Sequence, residues 1–163
     1  MATLTDFMRE LLVGRHYATL ATQDADGSVH LTPVWYIFEN DALYVECPST
    51  SRKARNVAMR PTASIVIDTR RLGSEGWVSA SGPAELIKGE TSKRINARIL
   101  GRYLTKAALE NPQLGPAFVA VDDATICLKP ARWRSWNAKE IDKQFFGGIL
   151  GATPEKWFLA LDG

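Results

Sequence analysis

The 163-residue chain is poor in the side chains that bind metals or cross-link: it has two cysteines, Cys47 and Cys127, and two histidines, His16 and His30. None of these falls at zinc-ligand spacing, so a structural metal is not expected. One disulfide between the cysteines stays open, but reduced thiols in a cytoplasmic protein are the simpler expectation. Long apolar runs are lacking too. Asp6, Arg9, Glu10 and Arg15 interrupt the amino-terminal segment, so neither a secretory signal nor a membrane span is expected. Twenty Lys and Arg against 18 Asp and Glu leave a net charge of +2, too little to expect a nucleic-acid partner. There is no GxGxxG, Walker loop, GxSxG or histidine–cysteine pairing, so the familiar nucleotide folds and hydrolytic triads are disfavoured. Repeats and linker-like tracts are also missing, so residues 1–163 read as one domain, with a core at about 16–136 and a tail at 138–163.

What is present is periodicity. Leu4, Phe7, Met8 and Leu11 predict a helix over residues 3–13. "HYATLAT", "VHLTPVWYIF" and "ALYVEC" read as strands joined by the turns "QDADGS" and "END", an antiparallel meander. "ASIVID" is a buried strand, and "GWVSASGPAELI" another, bent at Gly82-Pro83. Residues 89–110 carry helical spacing until Asn111-Pro112, and "AFVAVDDATICLKPARWRSW" supplies one or two more strands. "TPEKWFLAL" suits a short helix with Thr153 as cap and Pro154 in the first turn. Six strands without regular intervening helices predict a mainly β, α+β fold: a small antiparallel barrel with peripheral helices.

Two segments stand out chemically. "CPSTSRKARNVAMRP" has four cations and no acid. With Ser51 or Thr50 as cap, a helix to Met59 groups Ala54, Val57 and Ala58 on one face and Arg52, Lys53, Asn56 and Arg60 on the other. Unpaired N–H groups at its start add to the positive field, so the segment reads as either a solvated helix face or a phosphate site. Cys47 beside it is a small buried residue or a thiol of lowered pKa. Glu46 suits a partner for one of the arginines. In "VHLTPVWYIF", Pro33 cannot donate to a ladder, which puts this strand at an edge. Its unpaired main-chain groups could meet a planar heterocycle, with Trp35 or Tyr36 as aromatic surface, while Val29, Leu31, Trp35 and Ile37 at period two also suit a core.

The ordered set over residues 17–87, with "SRKARN" ahead of "RPTASIVID" and "RWRSW" further on, resembles the pyridoxamine 5'-phosphate oxidase-like flavin and deazaflavin oxidoreductases. The resemblance implies a six-stranded antiparallel split β-barrel and a homodimer with two cofactors at the subunit interface. It implies that Ser51, Arg52 and Lys53 hold cofactor phosphate, and that the strand of Leu31, Thr32, Pro33, Val34, Trp35 and Tyr36 runs along the ring. Trp77 matches a cofactor-facing position that is polar in the oxidases proper, so stacking replaces amide bonding there. The resemblance also implies that Trp136 approaches the cofactor, in such proteins often from the second subunit. Leu31 stands where those oxidases use a basic residue, which shifts the phosphate grip towards Arg52. The tail lacks their second basic set, so vitamin B6 oxidation is not the expected reaction.

The expectation is therefore an FMN-dependent oxidoreductase that moves hydride to or from a small organic substrate, with the cofactor carrying the chemistry. The alternative within enzymes is a reductase using the deazaflavin coenzyme F-420. A different class, a non-catalytic flavin- or haem-binding carrier or sensor, would in its haem form call on His30 as axial ligand, although a lone strand histidine is more often structural.

Overall fold

The computed structural model describes residues 4–160. Turn chemistry sets its first half. β1 (Ala18–Gln23) and β2 (Val29–Val34) join through a turn where Gly27 takes φ +86° and the Ser28 N–H donates to Asp26 Oδ1 at 2.9 Å. β3 (Ile37–Glu39) and β4 (Ala42–Cys47) meet at Asn40-Asp41, both left-handed, as a two-residue hairpin turn requires. α1 (Asp6–Val13) precedes them, capped by Thr5; the expected start at Thr3 lies outside the described residues.

β5 (Thr62–Thr69) and β6 (Gly76–Lys88) form the central ladder. β6 belongs to two sheets. Its first half lies between β5 and β8 (Arg132–Asn137) in the order β2-β1-β5-β6-β8; its second half pairs with β7 (Ala124–Leu128) in the order β6-β7-β4-β3. The changeover is the bend expected at Gly82-Pro83. A Cβ on Gly82 would collide with the carbonyl oxygen of Lys129 and lie 2.7 Å from the Ala131 nitrogen. Gly82→Ala is therefore expected to destabilise the chain by about 1–3 kcal/mol, read as a lower denaturant midpoint.

Leu20, Leu43, Val45, Ile65, Ile67, Val78, Ile126 and Leu128 fill the space between the sheets, with Leu12 of α1 closing one end. α3 (Gly89–Tyr103) covers the outside of the second sheet, where Ile95 and Ile99 pack on Ile37, Trp35 and Tyr44. Alternation along β4 thus sends Leu43, Val45 and Cys47 inward and Tyr44 and Glu46 towards α3.

The α+β antiparallel class holds, with eight strands among the described residues where six were expected. "AFVAV" is not a strand but lies in α5 (Leu114–Val121). The helix expected over residues 89–110 divides: α3 ends at Tyr103 and α4 (Lys106–Glu110) starts under its own cap, Thr105, whose hydroxyl accepts from Ala108 N–H at 3.2 Å. The tail holds α6 (Ala138–Phe145), which was not expected, α7 (Ile149–Ala152), and α8 (Pro154–Trp157) with Thr153 at its cap position as expected. Among the described residues no helix is long and apolar enough to cross a membrane.

Candidate functional site

The basic segment folds as α2 (Arg52–Met59), with Ser51 as cap and its Oγ accepting from Ala54 N–H at 3.3 Å. Ala54 and Val57 dock on the barrel, but the wheel is rotated from the expected one. Asn56 is buried with them and Ala58 is exposed. The reason is a polar anchor: Asn56 Nδ2 donates to Thr22 Oγ1 at 3.1 Å and to Asp24 Oδ1 at 3.0 Å. Arg52 grips the same carboxylate in two-pronged fashion, Nε to Oδ1 at 2.7 Å and Nη2 to Oδ2 at 2.8 Å. These bonds, Arg52's first and then Asn56's, hold the Asp24 carboxyl at about 2. Its depressed value makes the Asp24 contribution to stability present above the ordinary carboxylate range and lost as pH falls through 2.

Arg52 is thus half committed to structure, while its side chain stays 55% exposed. Lys53, half-buried at the helix start, forms no ion pair among the described residues. Together with the Ser51 hydroxyl proton and the first-turn N–H groups, Lys53 makes a donor set that fits a phosphate. Arg55 instead donates to the Thr50 carbonyl, and Arg60 to the Gln23 carbonyl at 2.8 Å. Acidic groups lie close: Asp123 binds the N–H and hydroxyl of Ser49 at 2.6 and 2.7 Å.

The second feature is the outer face of the five-stranded sheet. Register lines up Leu31, Ala21, Ser64, Ser81 and Arg132 in one cross-strand row, and Pro33, Thr19, Val66, Ser79 and Arg134 in the next. Small side chains dominate the middle, and a trough of about 420 Å³ runs over Ala21, Ser64, Ser81 and Arg132. A smaller hollow continues it to Ser79 and Arg134. β2 is one margin of this sheet, as Pro33 requires; β8 is the other. Trp77 and Trp136 face each other across the β6–β8 ladder, Trp136 40% exposed.

The residues expected along a ring separate accordingly. Leu31 and Pro33 lie on the outer face, while Thr32 points to the inner side, where its hydroxyl is 2.8 Å from His30 Nε2. Val34 is buried in the core. Trp35 is turned to α3 and stacks on Tyr103 with centroids 5.0 Å apart. Tyr36 is fully buried, and its hydroxyl lies 3.1–3.4 Å from the carbonyl oxygens of Leu11, Leu12 and Gly14, which share its single donor proton. Val34, Trp35 and Tyr36 therefore offer no side chain to the outer face; aromatic surface there comes from Trp77 and Trp136. Arg102 and Tyr103 tie α3 to the end of α1: Arg102 Nη2 donates to the Val13 carbonyl at 3.0 Å and Tyr103 hydroxyl to the His16 carbonyl at 2.6 Å.

Cys47 is buried, and burial pushes its thiol up to about 11, which removes the reactive-thiolate option. Glu46 pairs with no arginine. It is buried under α3 with Oε2 unpartnered, and burial, helped by the Asp122 charge, pushes its carboxyl up to about 8. Sequence reasoning missed both this neutral acid and the Asp24 anchor, because each depends on what packs against it. Among the described residues no three acids, histidines or cysteines are grouped to hold a metal.

Comparison with known proteins bears on the fold. The chain is similar in fold to the conserved hypothetical protein Rv2991 from Mycobacterium tuberculosis, with a TM-score of 0.68 at 20% identity, covering 99% of this chain and 94% of that one. An F-420 reductase aligns with a TM-score of 0.62 at 18% identity over 81% of this chain and 98% of its own. HutZ from Vibrio cholerae, described as a haem storage protein, aligns with a TM-score of 0.59 at 18% identity over 79% of this chain and 90% of its own. A search of curated protein sequences finds no match. Residues 4–137 match the sequence profile described as pyridoxamine 5'-phosphate oxidase. By that match, which spans both sheets and α2, the chain belongs to the pyridoxamine 5'-phosphate oxidase family.

Proposed function

We propose that this protein is an FMN-binding oxidoreductase that works as a homodimer, with each cofactor held between two copies. One observation carries the reading. The candidate ring-facing residues lie on opposite margins of one sheet, Leu31 and Pro33 on β2 and Trp136 on β8, separated by four strand spacings, about 19 Å. One copy cannot bring them to one ring. Two copies packed by a two-fold through the small-residue face can, since the β2 margin of each then approaches the β8 margin of the other. The exposed Val29 and Leu31, 65% and 62% accessible, give that contact apolar area.

Within each site, Lys53, the Ser51 hydroxyl and the first-turn N–H groups of α2 bind the phosphate, and Arg52 adds the guanidinium edge that Asp24 leaves open. The main chain of β2 orients the ring by its edge, and Trp136 of the second copy covers a face and keeps water out. Bound FMN supplies a ring that accepts and returns hydride to a small organic substrate. No protein acid or base is assigned. The deazaflavin coenzyme F-420 also carries phosphate and would call on the same donors, so it is the second candidate. A haem carrier fits less well because the Thr32 hydroxyl lies 2.8 Å from His30 Nε2 and so occupies one ring nitrogen of the candidate axial histidine.

The test is a titration of the purified protein with FMN, F-420 and haemin, followed by absorbance and tryptophan fluorescence. Saturable FMN binding with quenching is the expected result. A Soret band with haemin and no response to either flavin-type cofactor would overturn the reading.

A further inference from the structure

The outer face of the five-stranded sheet carries a charge that the cofactor reading leaves unused. Strand alternation puts Arg132, Arg134 and Trp136 of β8 on that face, beside Ser81, Ser79 and Trp77 of β6. Arg132 and Arg134 both line the hollow of about 200 Å³ over Ser64, Ser79 and Ser81, and Arg132 also borders the adjoining trough. Among the described residues no acid lines either space. Other arginines are committed. Arg52, Arg70 and Arg98 grip carboxylates, and Arg55, Arg60 and Arg102 donate to main-chain carbonyls. Arg132 and Arg134 form no ion pair among the described residues.

Two positions apart on one strand, their Cα atoms are about 7 Å from each other, so both side chains can reach one anion. Until an anion lies between them, the two like charges only repel. The serine hydroxyls beside them add donors and no competing carboxylate. Such a set matches a carboxylate or phosphate ester through two-pronged, charge-assisted hydrogen bonds. A cation would meet repulsion there, and a neutral group would leave both charges uncompensated.

We propose that Arg132 and Arg134 form an anion subsite on this face, which takes the carboxylate or phosphate group of a small ring-bearing substrate. Trp136, next along the same strand face, supplies the surface on which that molecule's ring packs. The substrate role rests on the cofactor reading above: the β8 margin of one copy then meets the β2 margin of the other, where the cofactor ring is held. Anion binding itself does not rest on it. The cofactor phosphate has its own donors at the start of α2, so this pair serves a second anion.

Calorimetry on the FMN-loaded full chain, with the flavin absorbance recorded, tests the subsite. The probes are 2-naphthoate, neutral 2-naphthylmethanol and cationic 2-naphthylmethylamine. Naphthoate is expected to bind and to shift the flavin band, the alcohol to bind about tenfold more weakly, and the amine not measurably. Arg132→Gln and Arg134→Gln are each expected to lower naphthoate affinity about tenfold and to leave the alcohol unchanged. Both positions are exposed, and circular dichroism checks that each variant folds. The inference is overturned by equal affinity for naphthoate and the alcohol, by no heat with any probe, or by a variant with both changes that binds naphthoate as the parent does. It is also overturned if that double variant weakens FMN but not riboflavin, since the pair would then hold the cofactor phosphate. A double variant that is monomeric by native mass spectrometry overturns it too, since the pair would then meet acids of the second copy. Repeating the titrations without FMN separates the two claims. FMN uptake with no preference for naphthoate removes only this inference. An arginine-dependent preference for naphthoate in a chain that never takes up FMN removes the cofactor reading and the substrate role, and keeps the anion subsite.

Discussion

Lys53→Ala is expected to weaken FMN binding by roughly 10- to 100-fold while leaving riboflavin binding unchanged. Lys53 stands at the start of α2 without an ion-pair partner among the described residues, and in the proposed site its ammonium would meet the cofactor phosphate. Riboflavin has the ring but no phosphate, so it reports the ring contacts alone. Arg52→Ala should behave differently. It also strips Asp24 of a two-pronged partner, leaving its carboxylate to the Asn56 amide and the Ser28 hydroxyl, so it should lower stability as well as affinity. Fluorescence titrations of both ligands against both variants make the check. Equal losses for FMN and riboflavin in Lys53→Ala, or none for either, would show that the phosphate lies elsewhere.

Glu46→Gln is expected to flatten the pH dependence of stability between about pH 4.5 and 8, a range over which the parent should lose roughly 2–4 kcal/mol. The buried carboxyl holds its proton up to about 8, while in the unfolded chain it ionises near its ordinary value. Below both values the two states bind the proton equally. Between them the unfolded state gains by ionising, so folding becomes less favourable as pH rises, and above 8 the loss is complete. Glutamine resembles the neutral acid in shape and does not titrate. Urea unfolding at pH 5 and pH 8.5 compares the two proteins. Parallel losses in parent and variant would mean that Glu46 is ionised in the fold, and that something not seen in its surroundings compensates it.

Local signals in the sequence were strong where local chemistry decides. "END" and "QDADGS" gave their hairpins, Pro33 placed β2 at a margin, Gly82-Pro83 marked the bend, and Ser51 capped α2 as read. Where packing decides, the reading slipped. "AFVAV" is apolar and β-branched, yet it lies in a helix on the outside of the molecule, with Val119 and Val121 exposed. α6 had a legible start in Asn137, whose side chain accepts from Glu140 N–H at 2.8 Å, an N-cap with an acid three residues on. Asn56 illustrates the limit best. A helical wheel sorts it with the polar face because the wheel cannot see Thr22 and Asp24, which come from another hairpin and make burial of an amide favourable. Likewise, alternation shows that Tyr36 and Trp35 point opposite ways but not which way a ligand lies; α1 and α3 claim their side chains.

The central claim is that two copies build each cofactor site, because the residues suited to the ring occupy the two margins of one sheet. Native mass spectrometry of the protein loaded with FMN tests this directly. The account predicts a dimer carrying two FMN molecules, and a Ser64→Arg protein, altered at the middle of the shared face, that is monomeric and no longer retains FMN. A monomer that holds FMN as tightly as the parent would contradict it.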